Sequence, residues 1–224
     1  MTSLVIFDCD GVLVDSEPIS CRVMAEALTA EGLETTTQDV MRDFMGRAWA
    51  DSLQMIEARL GRPTRPGFTE DFRAARDAAL AAEVKPVDGV REALEEIESA
   101  GMERCVASSG AVGKVRLTLG TTGLLELFEG RIFSATEMAK GKPAPDLFLL
   151  AARGMNHVPE ECAVIEDTPV GIEAARAAGM TALAYADNAP RQALEAAGAH
   201  VVFDDMRELP AHIAACNSLR LRRL

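Results

Sequence analysis

The sequence predicts an α/β fold: a doubly wound parallel sheet with a helical domain inserted after its first strand. Three observations carry this expectation. From about Pro86 onward, short apolar runs alternate with helical periods, the mark of repeated βα units and so of a parallel sheet covered by helices. A run of the same kind, Leu4–Phe7, stands alone near the start. Between the two, residues 16–85 hold helical periods and no convincing strand. The expected domains are 1–15 with 86–224 as the α/β core, and 16–85 as the insertion.

Each element has its own warrant. Leu4–Phe7 is apolar throughout and stops abruptly at Asp8-Cys9-Asp10-Gly11, as a buried strand followed by a turn does. In the insertion, Ile19, Val23, Met24, Ala27 and Leu28 form one helical period, Leu53, Ile56 and Leu60 a second, and Phe72, Ala75 and Ala79 a third. Gly61-Arg62-Pro63 and Arg65-Pro66-Gly67 separate them. Val90, Ala93, Leu94 and Ile97 follow the i, i+3, i+4, i+7 rule, and Gly101 stops that helix. Residues 105–107 read as a strand, with a helix running to about Leu119, and 131–133 read as another strand. A helix over 146–152 begins behind Pro143-Ala144-Pro145. Residues 163–165 form a strand; Thr168 then caps a helix with Pro169 at its first position and Gly179 just past its end. Strands at Thr181–Tyr185 and Val201–Phe203, with an Ala-rich helix over about 192–197 between them, close the series.

Bulk properties narrow the function. The chain has 224 residues and is 48% hydrophobic, enough for a substantial core and against disorder. No run of about eighteen uninterrupted apolar residues exists, and the start lacks the basic n-region of a secretory signal, so a cytoplasmic protein without membrane association is expected. A net charge of −12 repels nucleic acid over most of the surface. The basic end Arg220-Leu221-Arg222-Arg223-Leu224 reads as a solvated terminus or cations at a helix end. Cys9, Cys21, Cys105, Cys162 and Cys216 are scattered and odd in number, which argues against a disulfide framework or zinc site and for buried thiols. His157, His200 and His212 join no constellation and read as structural.

In an open α/β sheet, ligands bind beyond the carboxyl ends of the strands. Those ends carry Asp8 and Asp10; Ser108, Ser109 and Gly110; Lys142 within Lys140-Gly141-Lys142-Pro143; and Glu166 and Asp167. Acids, hydroxyls and a lysine at one edge suit a divalent cation together with a phosphate. Magnesium takes a few carboxylates and keeps several waters, and it relieves the repulsion between an attacking carboxylate and a phosphate dianion. Asp8 and Asp167 can supply the metal's side chains. Asp8 and Asp10, two apart in an extended backbone, project to the same side, so one can attack while the other handles protons. Lys142 can neutralise charge, and the Ser108 hydroxyl with loop N–H groups can hold phosphate oxygens. Each motif alone recurs in ordinary caps and turns. Four of them in order, each at a strand end, are not explained that way.

With these residues the chain resembles the haloacid dehalogenase superfamily. Asp8-Cys9-Asp10-Gly11-Val12-Leu13-Val14-Asp15-Ser16 is similar to its first motif, DxDGxLxDS. Ser108 matches the second, Lys142 in Gly-Lys-Pro-Ala-Pro-Asp the third, and Glu166-Asp167 followed by Gly171 the fourth. The resemblance spans the chain, and it implies a Rossmann-like core. Residues 16–85 resemble the helical cap of the subgroup holding β-phosphoglucomutase and many sugar-phosphate phosphatases. The resemblance implies a magnesium-dependent phosphatase acting on a small phosphorylated metabolite such as a sugar or sugar-acid phosphate; a monomer is expected. Asp8 would be the nucleophile and Asp10 the acid/base, with its carbonyl on the metal; Asp167 would be a metal ligand and Glu166 a nearby or water-mediated one. Met45-Gly46-Arg47 resembles the cap's substrate loop, which makes Gly46 and Arg47 candidates for substrate contact. Trp49, the only tryptophan, reads as cap core. β-Phosphoglucomutases carry a His where Ser20 falls and an Arg-Glu pair where Trp49-Ala50 align, so hydrolysis is expected over the alternative, an intramolecular phosphotransfer.

Overall fold

The computed structural model describes residues 1–45, 47, 49–137 and 140–221, with the side chains of 137, 220 and 221 outside that description. The chain forms two compact units, Met1–Asp15 with Pro86–Leu224, and Ser16–Lys85.

The first unit is built on strands β1 (Leu4–Phe7), β4 (Glu103–Ser108), β5 (Ile132–Ser134), β6 (Cys162–Glu166), β7 (Thr181–Tyr185) and β8 (Val201–Phe203). The short segments β2 (Val14–Asp15) and β3 (Lys85–Pro86) pair separately. The large sheet runs β5-β4-β1-β6-β7-β8, and each neighbouring pair is parallel. Leu4 lies opposite Glu103 on one side and Cys162 on the other, so the first strand is central. Its residues are fully buried, as a parallel strand covered on both faces must be. Leu4 and Ile6 point to one face, where Leu147, Phe148, Ile172 and Leu194 complete a core. Phe7 points to the other and meets Phe128 edge-on, with ring centres 6.2 Å apart.

The helices of this unit are α5 (Val90–Ser99), α6 (Val112–Thr121), α7 (Asp146–Gly154), α8 (Pro169–Ala177), α9 (Arg191–Ala196) and α10 (Leu209–Leu221). α8 starts where its sequence says it should. The Thr168 hydroxyl accepts from Gly171 N–H and Pro169 opens the helix. The sheet order reverses at β1, which makes the carboxyl end of that strand the topological switch point. The second unit holds α1 (Glu17–Ala30), α2 (Thr37–Asp43), α3 (Trp49–Leu60) and α4 (Phe68–Glu83). Cys21, Leu28, Val40, Ile56, Phe68 and Phe72 form its core. Trp49 stacks on Phe72 at 5.0 Å and on Phe68 at 6.5 Å. Glu31, at its side chain only 3% exposed, accepts from Arg62 Nη1 at 2.8 Å and from Arg65 N–H at 2.9 Å. Arg62 first, then that backbone donor, hold its carboxyl below the usual range.

Three elements lie beyond the periodicity. α2 is seven residues long with one buried residue, Val40, too short for an apolar stripe to declare itself. It is held instead by a capping box in which Thr36 and Asp39 exchange bonds. α10 buries Leu209 and Ile213 amid alanines and polar residues, a weak stripe. The pair β2 and β3 has two residues per strand, below what alternation can signal. All five cysteines are free, four of them buried. His157 bonds the Ser3 hydroxyl and Glu103, and His200 accepts from Ala182 N–H.

Candidate active site at the carboxyl edge

The first unit brings its sequence-predicted residues to one edge of the sheet. Asp8 follows β1 directly, and its N–H donates to Ile165 O at 2.9 Å. This stitches the end of β1 to the end of β6, which carries Glu166 and Asp167. Ser108 ends β4 and is 1% exposed; Asp8 is 7%, Glu166 1% and Asp167 3%. Gly11 takes φ +75, and a Cβ there would lie 2.8 Å from Asp167 Cγ and 2.9 Å from Asn188 Nδ2. Glycine at this turn is what lets the Asp8–Asp10 loop close on Asp167.

Lys142 is the electrostatic hub. Its ammonium donates to Asp8 Oδ1 and to Glu166 Oε1, both at 2.5 Å, with its side chain 7% exposed. It also sits 5.0 Å from the Phe148 ring centre. Burial by itself would lower the lysine's affinity for its proton, but Asp8 and Glu166 more than overcome this and hold it firmly charged. Asp8 is displaced the other way. Burial, and then the charges of Glu166 and Asp10 against the pull of Lys142, raise its carboxyl to about 7. Glu166 is anchored at its second oxygen as well. Oε2 accepts from the N–H groups of Asp167 and Thr168, each at 3.0 Å, and from the Thr168 hydroxyl at 2.8 Å. A Cβ on Gly171 would overlap this carboxylate, so the fourth-motif glycine makes room for it.

Gly110 N–H donates to the Ser108 hydroxyl at 3.0 Å, and Gly110 O accepts from the Ser134 hydroxyl at 2.7 Å. Ser109 is exposed beside them. Asp10 is half-buried and accepts from Lys114 of α6. In the second unit, Arg47 is exposed and its Nε donates to Asp43 O at 2.7 Å. Gly46 lies outside the described residues. Lys114, Ser134 and Asn188, whose amide reaches Asp167 Oδ2 at 3.4 Å, were not singled out from sequence. Asn188 and Ser134 could have been found as polar residues at or just past strand ends. Lys114 is marked by a cation in the first turn of a helix, where the dipole disfavours it.

The donor set suits a hard cation. Asp8 and Glu166 contact Lys142, Asp10 contacts Lys114, and Asp167 lies beside them against Asn188. Four carboxyl groups against two ammonium groups give this edge a surplus of acid, which a bound cation would offset. The available donors are oxygens, as magnesium prefers. Among the described residues no helix is long and apolar enough to cross a membrane.

The fold and this edge define a carboxylate-and-lysine site at the switch point of a doubly wound parallel sheet, and similarity to known proteins gives the family. Residues 2–179 match the model for haloacid dehalogenase-like hydrolases, and the chain belongs to that family. It is 31% identical over 177 residues to a phosphorylated carbohydrates phosphatase of Thermotoga maritima, covering 79% of this chain and 81% of that protein. It is 34% identical over 242 aligned residues to a β-phosphoglucomutase of Mycobacterium bovis, covering 91% of this chain and 90% of that one. Protein SUPPRESSOR OF QUENCHING 1 of Arabidopsis thaliana is 35% identical over 91% of this chain, but the chain spans only 20% of its length. A conserved haloacid dehalogenase-like protein of unknown function from Agrobacterium tumefaciens superposes with a TM-score of 0.84 at 34% identity, covering 97% of this chain and all of that one.

Proposed function

We propose that the chain hydrolyses a small phosphate monoester, a sugar or sugar-acid phosphate, through a phospho-aspartate at Asp8. The observation that carries this reading is the buried Asp8 carboxylate at the switch point, held at 2.5 Å by a lysine that Glu166 fixes from behind. An Asp8 oxygen bonds phosphorus as the ester P–O bond breaks, and a proton on Asp10 passes to the departing oxygen. Asp10 then takes a proton from water; that water's oxygen bonds phosphorus, the bond to Asp8 breaks, and inorganic phosphate leaves. Ser108 and the Gly110 loop hold phosphate oxygens, and Lys142 balances the charge that gathers on them. Magnesium, held by Asp8, Asp167 and the Asp10 carbonyl with Glu166 behind, would neutralise the anion pair formed by nucleophile and phosphate.

The relatives named as phosphatases support hydrolysis, while the 34% identical β-phosphoglucomutase supports an alternative phosphotransfer within a sugar phosphate. A panel of sugar and sugar-acid phosphates separates the two. Hydrolysis releases free phosphate in proportion to substrate, in a reaction that chelator stops and magnesium restores. Isomer interconversion without phosphate release would replace hydrolysis by the mutase reading. Arg47 is assigned to substrate contact, so Arg47→Ala should lower kcat/KM for the best metabolite more than for nitrophenyl phosphate.

A further inference from the structure

We propose that Lys114 is a positioning residue for Asp10, holding its carboxylate on the Ser108 side of the site; this rests on the hydrolytic reading above. Lys114 Nζ donates to Asp10 Oδ1 across 104 positions of sequence. Both side chains are largely withdrawn from solvent, at 11% and 17% exposure, where a charge pair is screened far less than on the surface. Three features show that the contact is built. Lys114 is the third residue of α6, where the positive end of the helix dipole repels a cation, so a carboxylate is needed to offset that cost. Gly110 marks where the groups meet. A Cβ there would lie 3.3 Å from Ser108 Oγ and in ordinary contact with Lys114 Cδ at 3.5 Å and Asp10 Oδ2 at 3.7 Å, so the three side chains surround one spot. The backbone of Asp10 is also fixed, bridged to Val14 and followed by a Gly11 N–H donating to Val14 O at 2.9 Å.

With the main chain held, the direction of the Asp10 carboxyl is set by its side-chain rotamer, one of a few staggered wells. Lys114 selects one of them. The selected well keeps the carboxyl beside the residues that grip phosphate, where the leaving oxygen must take its proton. A group that transfers a proton works only within hydrogen-bond reach of its target. Loss of the tether therefore costs most where the leaving group most needs that proton.

The test compares Lys114→Met and Lys114→Arg on two esters, nitrophenyl phosphate and an alkyl or sugar phosphate. Lys114→Met is expected to lower kcat for the alkyl ester about tenfold or more beyond its effect on the nitrophenyl ester. Lys114→Arg should restore most of that difference. In an Asp10→Asn background, Lys114→Met should add no further leaving-group dependence. Equal losses on both esters, or an additive effect on top of Asp10→Asn, would overturn the assignment and leave a purely structural ion pair. Should Lys114→Met not fold, Lys114→Gln carries the same contrast. The failure of the underlying reading looks different: wild-type protein then releases no phosphate from either ester, and the assignment falls with it.

Discussion

At the scale of single residues, the site is governed by one lysine among buried carboxylates. Removing one partner of a buried ion pair leaves the other charge uncompensated, which costs about 3–5 kcal/mol. Lys142→Met should therefore lower the stability of the metal-free protein by about that amount at neutral pH, read by chemical denaturation, besides abolishing turnover. A stability within 1 kcal/mol of wild type, on the order of a surface charge change, would show that Lys142 is not the counter-charge described. Asp8 gives a prediction with a definite sign. Its carboxyl stands at about 7 in the fold against an ordinary 3.8. A carboxyl raised on folding contributes stability that is whole below the unfolded value and lost as pH climbs through the folded one. Asparagine carries no such charge. Metal-free Asp8→Asn should melt near wild type at pH 4 and above it at pH 7.5, and a gap unchanged between those pH values would contradict the burial argument.

At the scale of elements, the passage from β6 into α8 is the part most tightly specified. The Thr168 hydroxyl caps the helix and also donates to Glu166, so one side chain serves both secondary structure and site. Gly171→Ala places a methyl group on the Glu166 carboxylate. The overpacking should cost about 1–3 kcal/mol and displace the group that steadies Lys142, so thermal stability and kcat should fall together. Wild-type values for both would mean that the carboxylate has room to move. This stretch was legible in sequence because each constraint has its own residue type: a β-branched run, two acids, a threonine cap, a helix-opening proline and a glycine. The same holds for Asp8 and Asp10, which stop an apolar run without transition. Lys114 and Asn188 were legible only in position, as a cation in a helix's first turn and a polar residue past a strand end; their partners, over a hundred and some twenty positions away, leave no local mark. α2 escaped for a related reason, because its stability lies in a Thr36–Asp39 exchange rather than in a hydrophobic stripe.

At the scale of the whole molecule, each unit carries its own core. Leu28 is fully buried within the helical unit, so Leu28→Ala should cost about 2–5 kcal/mol in chemical denaturation. A loss under 1 kcal/mol, small beside the usual cavity cost, would mean that this core is loosely filled. The sheet order has a different consequence, one of time. β1 is made first of the six strands yet sits in their middle, flanked by segments that begin at Glu103 and Cys162. A ribosome adding about 5–20 residues per second leaves Leu-Val-Ile-Phe without its second neighbour for on the order of ten seconds or more. During that interval the nascent chain offers an apolar strand with an open edge and no nucleophile pocket. Chaperone capture of ribosome-bound chains should accordingly rise with length and then drop once Cys162–Glu166 has emerged.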